Sequence, residues 1–516
     1  MSNEKNILHS NIWKISEQMR GSVDSWDFKQ YVFAFLFYRY LSENLIEYLK
    51  KVKGVEFEYS KLNDTDITED MKNEIIKEKG FFIYPSELFE NIILNIDNIE
   101  NLTDKVKDIF NNIEKSACGT EAEENIKNLF SNVNLNSSQL GYDSKSHKEN
   151  VIKLLKGINS MKLKSNNETT IDIFGDAYEF LMNMYATNAG KSGGEFYTPQ
   201  EVSKLLAKIT IENKNKIRSV YDPTCGSGSL LLQVVKLLGN KNIKKGIYGQ
   251  ENNATTYNLC RMNMFLHDIH YSKFNIKCGD TLKEPKHLGE KFDAIVSNPP
   301  YSIKWEGKDN PELAKDERFS PAGALAPKSK ADLAFIMHVL SMLSDDGIAS
   351  IVCFPGVLYR NGAEQKIREY LVKNNFVDSI IQLPENLFFG TSISTCIMVL
   401  KKSKTTKDIL FVDASKQFEK NGNKNKLTDE NIDYIFNLIM NRKEIEGETK
   451  LSTIDEIAKQ KYNLSTSTYV ELIEEKEEID IKELNRKIKE MEEERKKTID
   501  KYFKFIDELE EMFEEI

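Results

Sequence analysis

Asp222-Pro-Thr-Cys-Gly-Ser-Gly228 is the stretch that decides the fold, because two glycines closely follow the apolar run Ser219 to Tyr221. An apolar run of this kind predicts a buried strand. Gly226 and Gly228 carry no side chain, so they let the backbone approach a ligand closely at the end of that strand. Taken alone, the pair is weak evidence, since Gly-x-Gly also occurs in ordinary turns.

A second strand end carries Ser297-Asn-Pro-Pro-Tyr301, directly after the apolar run Phe292 to Val296. Asn298 offers an amide oxygen, and Pro299 offers a carbonyl that Pro300 helps to hold rigid. Tyr301 places an aromatic ring beside both acceptors. This arrangement suits a planar amino group, so the two stretches together indicate methyl transfer to an amino nitrogen.

Short apolar runs recur between residues 219 and 400 and alternate mostly with helix-like segments. They are Ser219 to Tyr221, Gly246 to Tyr248, Phe274 to Lys277, Phe292 to Val296, Ile348 to Phe354, Val377 to Leu383 and Thr395 to Leu400. Seven such runs predict an α/β fold with a doubly wound, seven-stranded sheet. Ligands of such sheets bind at the carboxyl ends of the strands.

Acidic residues follow three of these runs. Besides Asp222, Glu251 ends the run in Gly249-Gln-Glu251, where its carboxylate can accept both hydroxyl hydrogens of a ribose. Asp280 follows Phe274 to Cys278 and can accept from an adenine amino group. A single acid in such a place is more often a helix cap or a solvated charge. Three acids at successive strand ends predict a nucleoside-containing cofactor.

The flanking sequence divides the chain into three regions. Residues 1–160 are rich in helix formers and predict a helical N-terminal domain, residues 161–415 contain the predicted sheet, and residues 416–516 form a C-terminal helical region. The last region has apolar residues at alternating spacings of three and four, interrupted by one polar layer. The repeat comprises Ile481, Leu484, Ile488, Met491, Arg495, Thr498, Tyr502, Phe505, Leu509, Met512 and Ile516. It predicts a coiled-coil seam; the alternative is one long helix packed on its own domain.

Composition and charge fit a soluble globular protein of several domains, with 516 residues, 40% hydrophobic and 29% charged. The net charge is -10, of which residues 471–516 supply -8 through 18 acidic and 10 basic residues. The rest of the chain is therefore nearly neutral. Charge neither predicts nor excludes a nucleic-acid partner.

The sequence predicts no membrane span. Tyr31 to Leu41 is the longest strongly apolar stretch near the N-terminus, but Arg39 interrupts it and it is too short to cross a bilayer, so it predicts a core helix. The N-terminus lacks a signal-peptide pattern, and the six cysteines show no paired spacing. These features predict a cytoplasmic protein. No zinc-ligand cluster is apparent, and no metal is expected.

The ordered acids and glycines resemble those of S-adenosylmethionine-dependent methyltransferases, and Asn298-Pro-Pro-Tyr301 is similar to the motif of members that act on amino or amide nitrogens. The resemblance implies S-adenosyl-L-methionine as cofactor. It implies cofactor binding by Asp222, Thr224, Gly226, Ser227, Gly228, Glu251, Asp280 and Asn298. It also implies that Asn298 and the carbonyl of Pro299 accept hydrogen bonds from the target amino group while Tyr301 stacks on the ring.

Other stretches resemble the modification subunit of type I restriction-modification systems over nearly the whole chain. They are Trp13-Lys-Ile15, Phe33 to Tyr40, Gly193 to Pro199, Ala331-Asp-Leu-Ala-Phe335 and Tyr462-Asn-Leu-Ser465. This resemblance implies N6-methylation of adenine in DNA. It implies that Phe196, Tyr197 and Thr198 lie beside the cofactor and that Asp332 and Phe335 shape its pocket. Apart from the resemblance, Phe388 and Phe389 precede the last predicted strand and are candidates to cover the target base opposite Tyr301, although adjacent phenylalanines more often belong to the core.

The same resemblance implies partners besides DNA. A specificity subunit would choose the DNA sequence and bind the C-terminal helices, a second copy of this modification subunit would join the complex, and a restriction motor-nuclease subunit is a further possible member. Two other classes of function remain open. Asn-Pro-Pro-Tyr also occurs in methyltransferases of protein glutamine and of guanine amino groups in RNA, and a non-catalytic scaffold would keep only a cofactor pocket.

Overall fold

The structure is a computed structural model that describes residues 10, 25–54, 56–138, 140–161, 174–182, 198–212, 214–388, 391–422, 424–471 and 481–514. The chain divides into two compact units, Met1–Glu471 and Leu472–Ile516. The first unit contains a helical N-terminal region and a large mixed sheet. The second contains one long helix.

Helices make up the regular structure of the N-terminal region. They are α1 Ser25–Lys53, α2 Glu69–Lys79, α3 Phe89–Leu94, α4 Leu102–Ser116, α5 Glu123–Ile126 and α6 Ser144–Ser160. Residues 31–41 of α1 are buried on every side, with Phe35 and Phe37 fully inaccessible. The predicted core helix is therefore confirmed. In the described part of the chain, no helix has both the length and the apolar character needed to cross a bilayer.

Arg39 interrupts the apolar stretch of α1 without leaving the core. Its Nη1 donates to the carbonyl oxygens of Ile158 at 2.6 Å and of Met161 at 3.0 Å, and its Nε donates to Glu43 at 2.6 Å. A buried guanidinium is tolerated when its donors are paired in this way. Arg39 thus joins α1 to the end of α6.

The central sheet has nine strands among the described residues. They are β1 Ile217–Asp222, β2 Ile243–Glu251, β3 Phe274–Cys278, β4 Phe292–Ser297, β5 Leu343–Cys353, β6 Val377–Gln382, β7 Cys396–Lys401, β8 Asp408–Asp413 and β11 Thr449–Thr453. Their order is β11-β8-β6-β7-β5-β4-β1-β2-β3. β3, β2, β1, β4 and β5 run parallel to their neighbours in that series, and β7 runs antiparallel to both β5 and β6.

Helices cover both faces of the sheet. Successive residues of a strand point to opposite faces, so neighbouring residues pack against different helices. Val220 of β1 belongs to one hydrophobic cluster together with residues of α7 Gln200–Thr210, α8 Ser229–Leu238 and α9 Ala254–Leu266. Tyr221 belongs to a second cluster with α10 Asp332–Met342 and α11 Ala363–Lys373. The predicted doubly wound α/β architecture with a helical N-terminal region is confirmed.

The sheet is larger than the seven strands predicted. All seven predicted runs are strands, and β8 and β11 are two further strands that continue the sheet beyond β6. β11 lies beyond residue 415, inside the range assigned to the C-terminal helical region. Its sequence, Thr-Lys-Leu-Ser-Thr, is short and mostly polar, so its pairing with β8 is decided by tertiary contacts rather than by local pattern.

The remaining elements follow β8. A hairpin of β9 Glu419–Asn421 and β10 Lys424–Lys426 precedes α12 Asp429–Asn441, and α13 Ile454–Lys459 follows β11. In the second unit, α14 Ile481–Glu514 is a single helix of 34 residues, about 50 Å long at 1.5 Å per residue.

Candidate active site

Four loops meet at one edge of the sheet. β4, β1, β2 and β3 are adjacent and parallel, so their carboxyl ends lie side by side. The sequence places Asn298 after β4, Asp222 at the end of β1, Glu251 at the end of β2 and Asp280 after β3. The fold therefore brings the predicted residues of the four strand ends to the same edge.

The glycine loop after β1 has the backbone geometry that requires glycine. Gly226 has φ 52° and Gly228 has φ 81°, and α8 begins at the next residue. A Cβ on Gly228 would lie 2.6 Å from the Cε of Met264 and 2.8 Å from the Sγ of Cys260. The loop therefore packs directly on α9, without room for a side chain.

Asp222 is fully buried at the bottom of this loop. Its Oδ1 accepts a hydrogen bond from the backbone N–H of Thr224 at 2.9 Å, whereas its Oδ2 has no partner among the described residues. Burial, together with the nearby carboxylate of Glu251, raises the pKa of Asp222 from 3.8 to about 7. A buried, half-satisfied carboxyl group of this kind is suited to a cationic or hydrogen-donating ligand.

Glu251 joins two of the loops. Its Oε2 accepts from the backbone N–H of Gly226 at 3.0 Å, and its Oε1 accepts from that of Asn253 at 2.8 Å. Burial raises the pKa of this carboxyl group. Each carboxylate oxygen has a further lone pair, so both remain able to accept from the hydroxyl groups of a ribose.

Asp280 starts a tight turn after β3. Its Oδ1 accepts from the backbone N–H of Leu282 at 2.9 Å and of Lys283 at 3.3 Å. The hydroxyl of Thr281 donates to the carbonyl of Pro223 at 2.5 Å, and this bond ties the turn to the glycine loop. Asp280 is thus both a cap of its own turn and a candidate ligand residue.

Asn298 is held from both sides of its amide. Its Nδ2 donates to the Oγ1 of Thr198 at 3.0 Å, and its Oδ1 accepts from the hydroxyl of Tyr301 at 2.9 Å. Each end of the amide is thus engaged by a hydroxyl group, and in this arrangement Oδ1 is the end next to Tyr301. A carbonyl oxygen has two lone pairs, so Oδ1 can accept a second hydrogen bond from a substrate amino group.

Tyr301 is half-buried, and its ring lies 6.4 Å from that of Phe354, centroid to centroid, at 45°. Burial raises the pKa of Tyr301 well above 10, so its phenol stays protonated and keeps donating to Asn298 at neutral pH. Phe354 follows β5, the next strand along the edge, and its ring is also half-buried. The rings of Tyr301 and Phe354 therefore lie near each other at the end of the Asn-Pro-Pro-Tyr loop.

The backbone after Tyr301 is fixed by Asp332. Ser302 has φ 52°, a left-handed conformation that costs a non-glycine residue free energy. Its N–H donates to both carboxylate oxygens of Asp332, at 3.1 and 3.2 Å. Asp332 is 6% exposed, so the turn is anchored from inside the protein.

The other predicted site residues differ in position. Ser227 is buried in the glycine loop, and its carbonyl accepts from the Nδ2 of Asn263 at 2.9 Å. Phe388 is 4% exposed and belongs to the hydrophobic core, so this structure does not present its ring for stacking. Phe196, Tyr197 and Phe389 lie outside the described residues.

Sequence reasoning missed three of these relationships. Thr198 contacts Asn298, and Asp332 contacts Ser302; the place of Thr198 beside the cofactor and the part of Asp332 in shaping its pocket stay predictions. Sequence reasoning did not single out Phe354. Thr198 and Asn298 are 100 positions apart, and no local pattern reports contacts at such separations.

The residues present fit an adenosine-containing cofactor. The buried Oδ2 of Asp222 lacks a partner, the loop of Gly226 and Gly228 gives close access to the backbone, and Glu251 and Asp280 provide acceptors on the next two strands. This order of acceptors matches a ligand with a charged end, two adjacent hydroxyls and an amino group on its base.

Comparison with known proteins points the same way. Residues 169–478 match the family model described as N-6 DNA Methylase, and residues 8–158 match the HsdM N-terminal domain. The chain is 48% identical to the type I restriction enzyme MpnII methylase subunit of Mycoplasma pneumoniae, over 95% of this chain and 93% of that protein. It is 29% identical to the MjaVII methylase subunit of Methanocaldococcus jannaschii, over 98% and 84%.

A solved structure is also similar. The crystal structure of the type I restriction-modification methyltransferase subunit from Streptococcus thermophilus superposes with a TM-score of 0.82 at 34% sequence identity. The match covers 90% of this chain and 100% of that one. It extends over the N-terminal helices as well as the sheet, since a match to the sheet alone would cover far less of the chain.

Proposed function

This chain belongs to the N-6 DNA methylase family as a methylase subunit of the type I restriction-modification kind, and from that premise we propose that it methylates the N6 amino group of adenine in DNA. S-Adenosyl-L-methionine is the methyl donor. The observation that carries the proposal is the fixed amide of Asn298 beside the glycine loop, on adjacent parallel strands.

The aromatic amine is a poor nucleophile, because its lone pair is delocalised into the ring. Hydrogen bonds from the amine to the Oδ1 of Asn298 and the carbonyl of Pro299 favour a more tetrahedral nitrogen and so free the lone pair. Pro299 is buried and followed by Pro300, so its carbonyl has little freedom to move. No strong base is needed before the methyl group is transferred.

Bound S-adenosyl-L-methionine supplies an electrophilic methyl group on a positively charged sulfur. The chain's own residues bind the two substrates at one edge of the sheet, with Asp222, Thr224, Gly226, Ser227, Gly228, Glu251 and Asp280 proposed as the cofactor side. Tyr301 is proposed to stack on the target adenine, which must leave the duplex to reach the loop. Orientation of the two reacting atoms then provides much of the acceleration.

We further propose that α14 binds the specificity subunit. Leu484, Ile488, Met491, Tyr502 and Phe505 of the predicted seam are 49–69% exposed, far more than is usual for large apolar side chains. A second copy of this subunit and a restriction subunit are proposed as further members of the complex with DNA. The division into residues 1–160, 161–415 and 416–516 also remains a proposal.

A methylation map tests the activity. The natural chain and an Asn298→Ala variant are expressed with their partner genes, and N6-methyladenine is mapped across the genome. We expect the variant to lose methylation at one recognition sequence, while Asn374→Ala, which changes an exposed asparagine, keeps it. An unchanged map for Asn298→Ala, with the natural chain active, would contradict the proposal and direct assays to protein glutamine and RNA guanine.

A further inference from the structure

Arg318 connects the segment after Tyr301 to the loop of Asp280. It lies between Tyr301 and α10 in the chain, is 5% exposed, and reaches the turn after β3. Its Nη1 donates to the carbonyl oxygen of Thr281 at 3.0 Å, and its Nη2 donates to that of Leu282 at 2.8 Å. One guanidinium group thus binds two consecutive carbonyls.

These two carbonyls belong to peptide groups whose N–H ends are held by Asp280. The peptide that carries the Thr281 oxygen also carries the Leu282 N–H, which donates to the Oδ1 of Asp280 at 2.9 Å. The next peptide carries the Leu282 oxygen and the Lys283 N–H, which donates to the same Oδ1 at 3.3 Å. Because a peptide group is planar, fixing its oxygen also fixes the direction of its N–H.

Arg318 is itself held in place by its neighbours. Its Nε and Nη2 donate to the carboxylate of Asp316, at 3.1 and 2.8 Å, and its guanidinium lies 4.6 Å from the ring centroid of Phe319. Its Nη1 also lies 3.2 Å from the Nδ1 of His338. An arginine only donates, so this Nδ1 accepts, and the neutral ring then has its proton on Nε2, 3.2 Å from the hydroxyl of Tyr221.

We infer that Arg318 is a positioning residue for the cofactor: it acts through the peptide groups of Thr281 and Leu282 to orient the carboxylate of Asp280 toward the adenine amino group. The inference rests on the proposed function, in which Asp280 accepts from that group. With Oδ1 engaged by two N–H groups, Oδ2 is the oxygen left for the ligand. Arg318 therefore affects how well the site selects a 6-amino purine, and it does not take part in methyl transfer.

Lysine cannot replace Arg318 in this role. The planar guanidinium reaches both carbonyls and Asp316 at once, whereas a single ammonium lacks this fixed fork of donors. Arg318→Lys keeps the charge and much of the apolar stem, so it removes the geometry with little other change. It is the variant that isolates the proposed role.

The test compares two ligands whose purines differ at position 6, where one has an amino group and the other an oxo group, and at N1, which carries a hydrogen only in the oxo form. Dissociation constants of the full chain are measured by calorimetry for S-adenosylhomocysteine and for S-inosylhomocysteine, which has an oxygen in place of the amino group. We expect the natural chain to prefer the amino ligand by about tenfold, the value of one hydrogen bond to a charged group. Arg318→Lys should bring the two constants to within about twofold, mainly by weakening the amino ligand.

Asp280→Ala and the double variant test whether Arg318 acts through Asp280. We expect Asp280→Ala to lose the same preference and the double variant to bind no more weakly than Asp280→Ala. Arg218→Lys is the matched control, because Arg218 binds Asp293 through Nε at 3.0 Å and Nη2 at 2.8 Å, near the opposite end of the sheet. It should retain the preference of the natural chain.

The inference is overturned if Arg318→Lys keeps the tenfold preference. This holds also if both ligands bind more weakly by the same factor, because a purely structural role of Arg318 would give that result. Should that variant fail to fold, Arg318→Met takes its place, because it keeps an apolar stem but removes every donor to the two carbonyls, and a retained preference there overturns the inference equally. A natural chain that binds neither ligand contradicts the proposed function itself. A preference that survives Asp280→Ala also overturns the inference, since Arg318 is proposed to act through Asp280, and it leaves the proposed methyl transfer untouched.

Discussion

The hydroxyl of Tyr301 donates to the Oδ1 of Asn298 at 2.9 Å, so the ring proposed to stack on adenine also orients the amide proposed to accept from it. The ring and the hydroxyl of one residue thus have separable tasks. Tyr301→Phe should lower kcat about threefold to tenfold, since it removes one hydrogen bond worth about 0.5–1.5 kcal/mol. Tyr301→Ala should reduce activity further, because stacking is worth about 1–3 kcal/mol per base.

Single-turnover methylation of a DNA duplex by the assembled complex measures both effects. Tyr434→Phe is the control, since it removes an exposed hydroxyl that donates to Glu448 at 2.6 Å. Equal activities of the Phe and Ala variants at position 301 would refute the division of tasks.

Thr198 is expected to control the orientation of the Asn298 amide. Thr198→Val removes the acceptor 3.0 Å from Nδ2 and allows the amide to turn its NH2 group toward the substrate amine. We expect a lower kcat with little change in cofactor affinity, and recovery in Thr198→Ser, which restores the hydroxyl. Calorimetry measures cofactor affinity, and steady-state kinetics measures kcat. Weakened cofactor binding in Thr198→Val would instead support the contact with the cofactor that the family resemblance implies.

Cofactor affinity is expected to depend on pH through Asp222. Its pKa of about 7 means that the carboxyl group is largely neutral below pH 7 and ionised above it. A cationic cofactor favours the ionised form, so affinity should rise with pH up to about 7, by at most about tenfold per pH unit, and then level off. Calorimetric titrations from pH 5.5 to 8.5 measure this, and Asp222→Asn should flatten the profile.

The same group affects stability with the opposite sign. Folding raises the pKa of Asp222 above its ordinary value of 3.8, so its protonated form favours the folded chain. This contribution is greatest in acid and declines as pH rises from about 4 to about 7. Denaturant unfolding of the natural chain and of Asp222→Asn at several pH values isolates the contribution of Asp222. If the stability of both proteins changes identically with pH, Asp222 is not the group responsible.

Gly228→Ala is expected to destabilise the chain more than Gly289→Ala, although both glycines have left-handed backbone angles. Gly228 has φ 81° and a Cβ there would lie 2.6 Å from Met264, whereas Gly289 has φ 89° with no atom within 4 Å of a Cβ. Left-handed strain costs each alanine about 1–2 kcal/mol, and crowding adds about 1–3 kcal/mol at Gly228 alone. Urea unfolding of both variants gives the difference. Equal losses of stability in the two variants would mean that α9 shifts to make room for the Cβ at no cost in free energy.

Removal of residues 472–516 is expected to abolish complex assembly and to leave cofactor binding intact. The cut belongs after Glu471, since Leu464 and Val470 are buried in the first unit and the ring of Tyr469 stacks on Phe411 at 4.0 Å. Gel filtration with the specificity subunit and calorimetry with the cofactor are the two readouts. Assembly that survives the truncation would refute the proposed role of α14.

The fold was predictable where local pattern determines it. The seven runs from Ser219 to Leu400 have enough apolar residues to indicate strands from local sequence alone, and the acids at the end of β2 and after β3 follow from chain order. β8 was not among the predicted runs, although its Ile-Leu-Phe-Val sequence is strongly apolar. β11 has no such signal.

The site was predictable in composition but not in its supporting contacts. Asp332 lies 30 positions from Ser302 and Arg318 lies 37 from Thr281, and each contact exists only once the intervening segment has folded back. Phe388 illustrates the reverse case. Its place before the last predicted strand made it a candidate to cover the target base, but tertiary packing buries it.

The uncovered apolar seam of α14 also bears on how a cell must supply this protein. A helix that leaves Met491 and Phe505 nearly 70% exposed is a ready target for self-association and for quality-control proteases when no partner covers it. Copies made in excess of their partner would then be short-lived. The abundance of the methylase would thereby follow that of the proposed specificity subunit, and ratios between the genes would matter more than total expression.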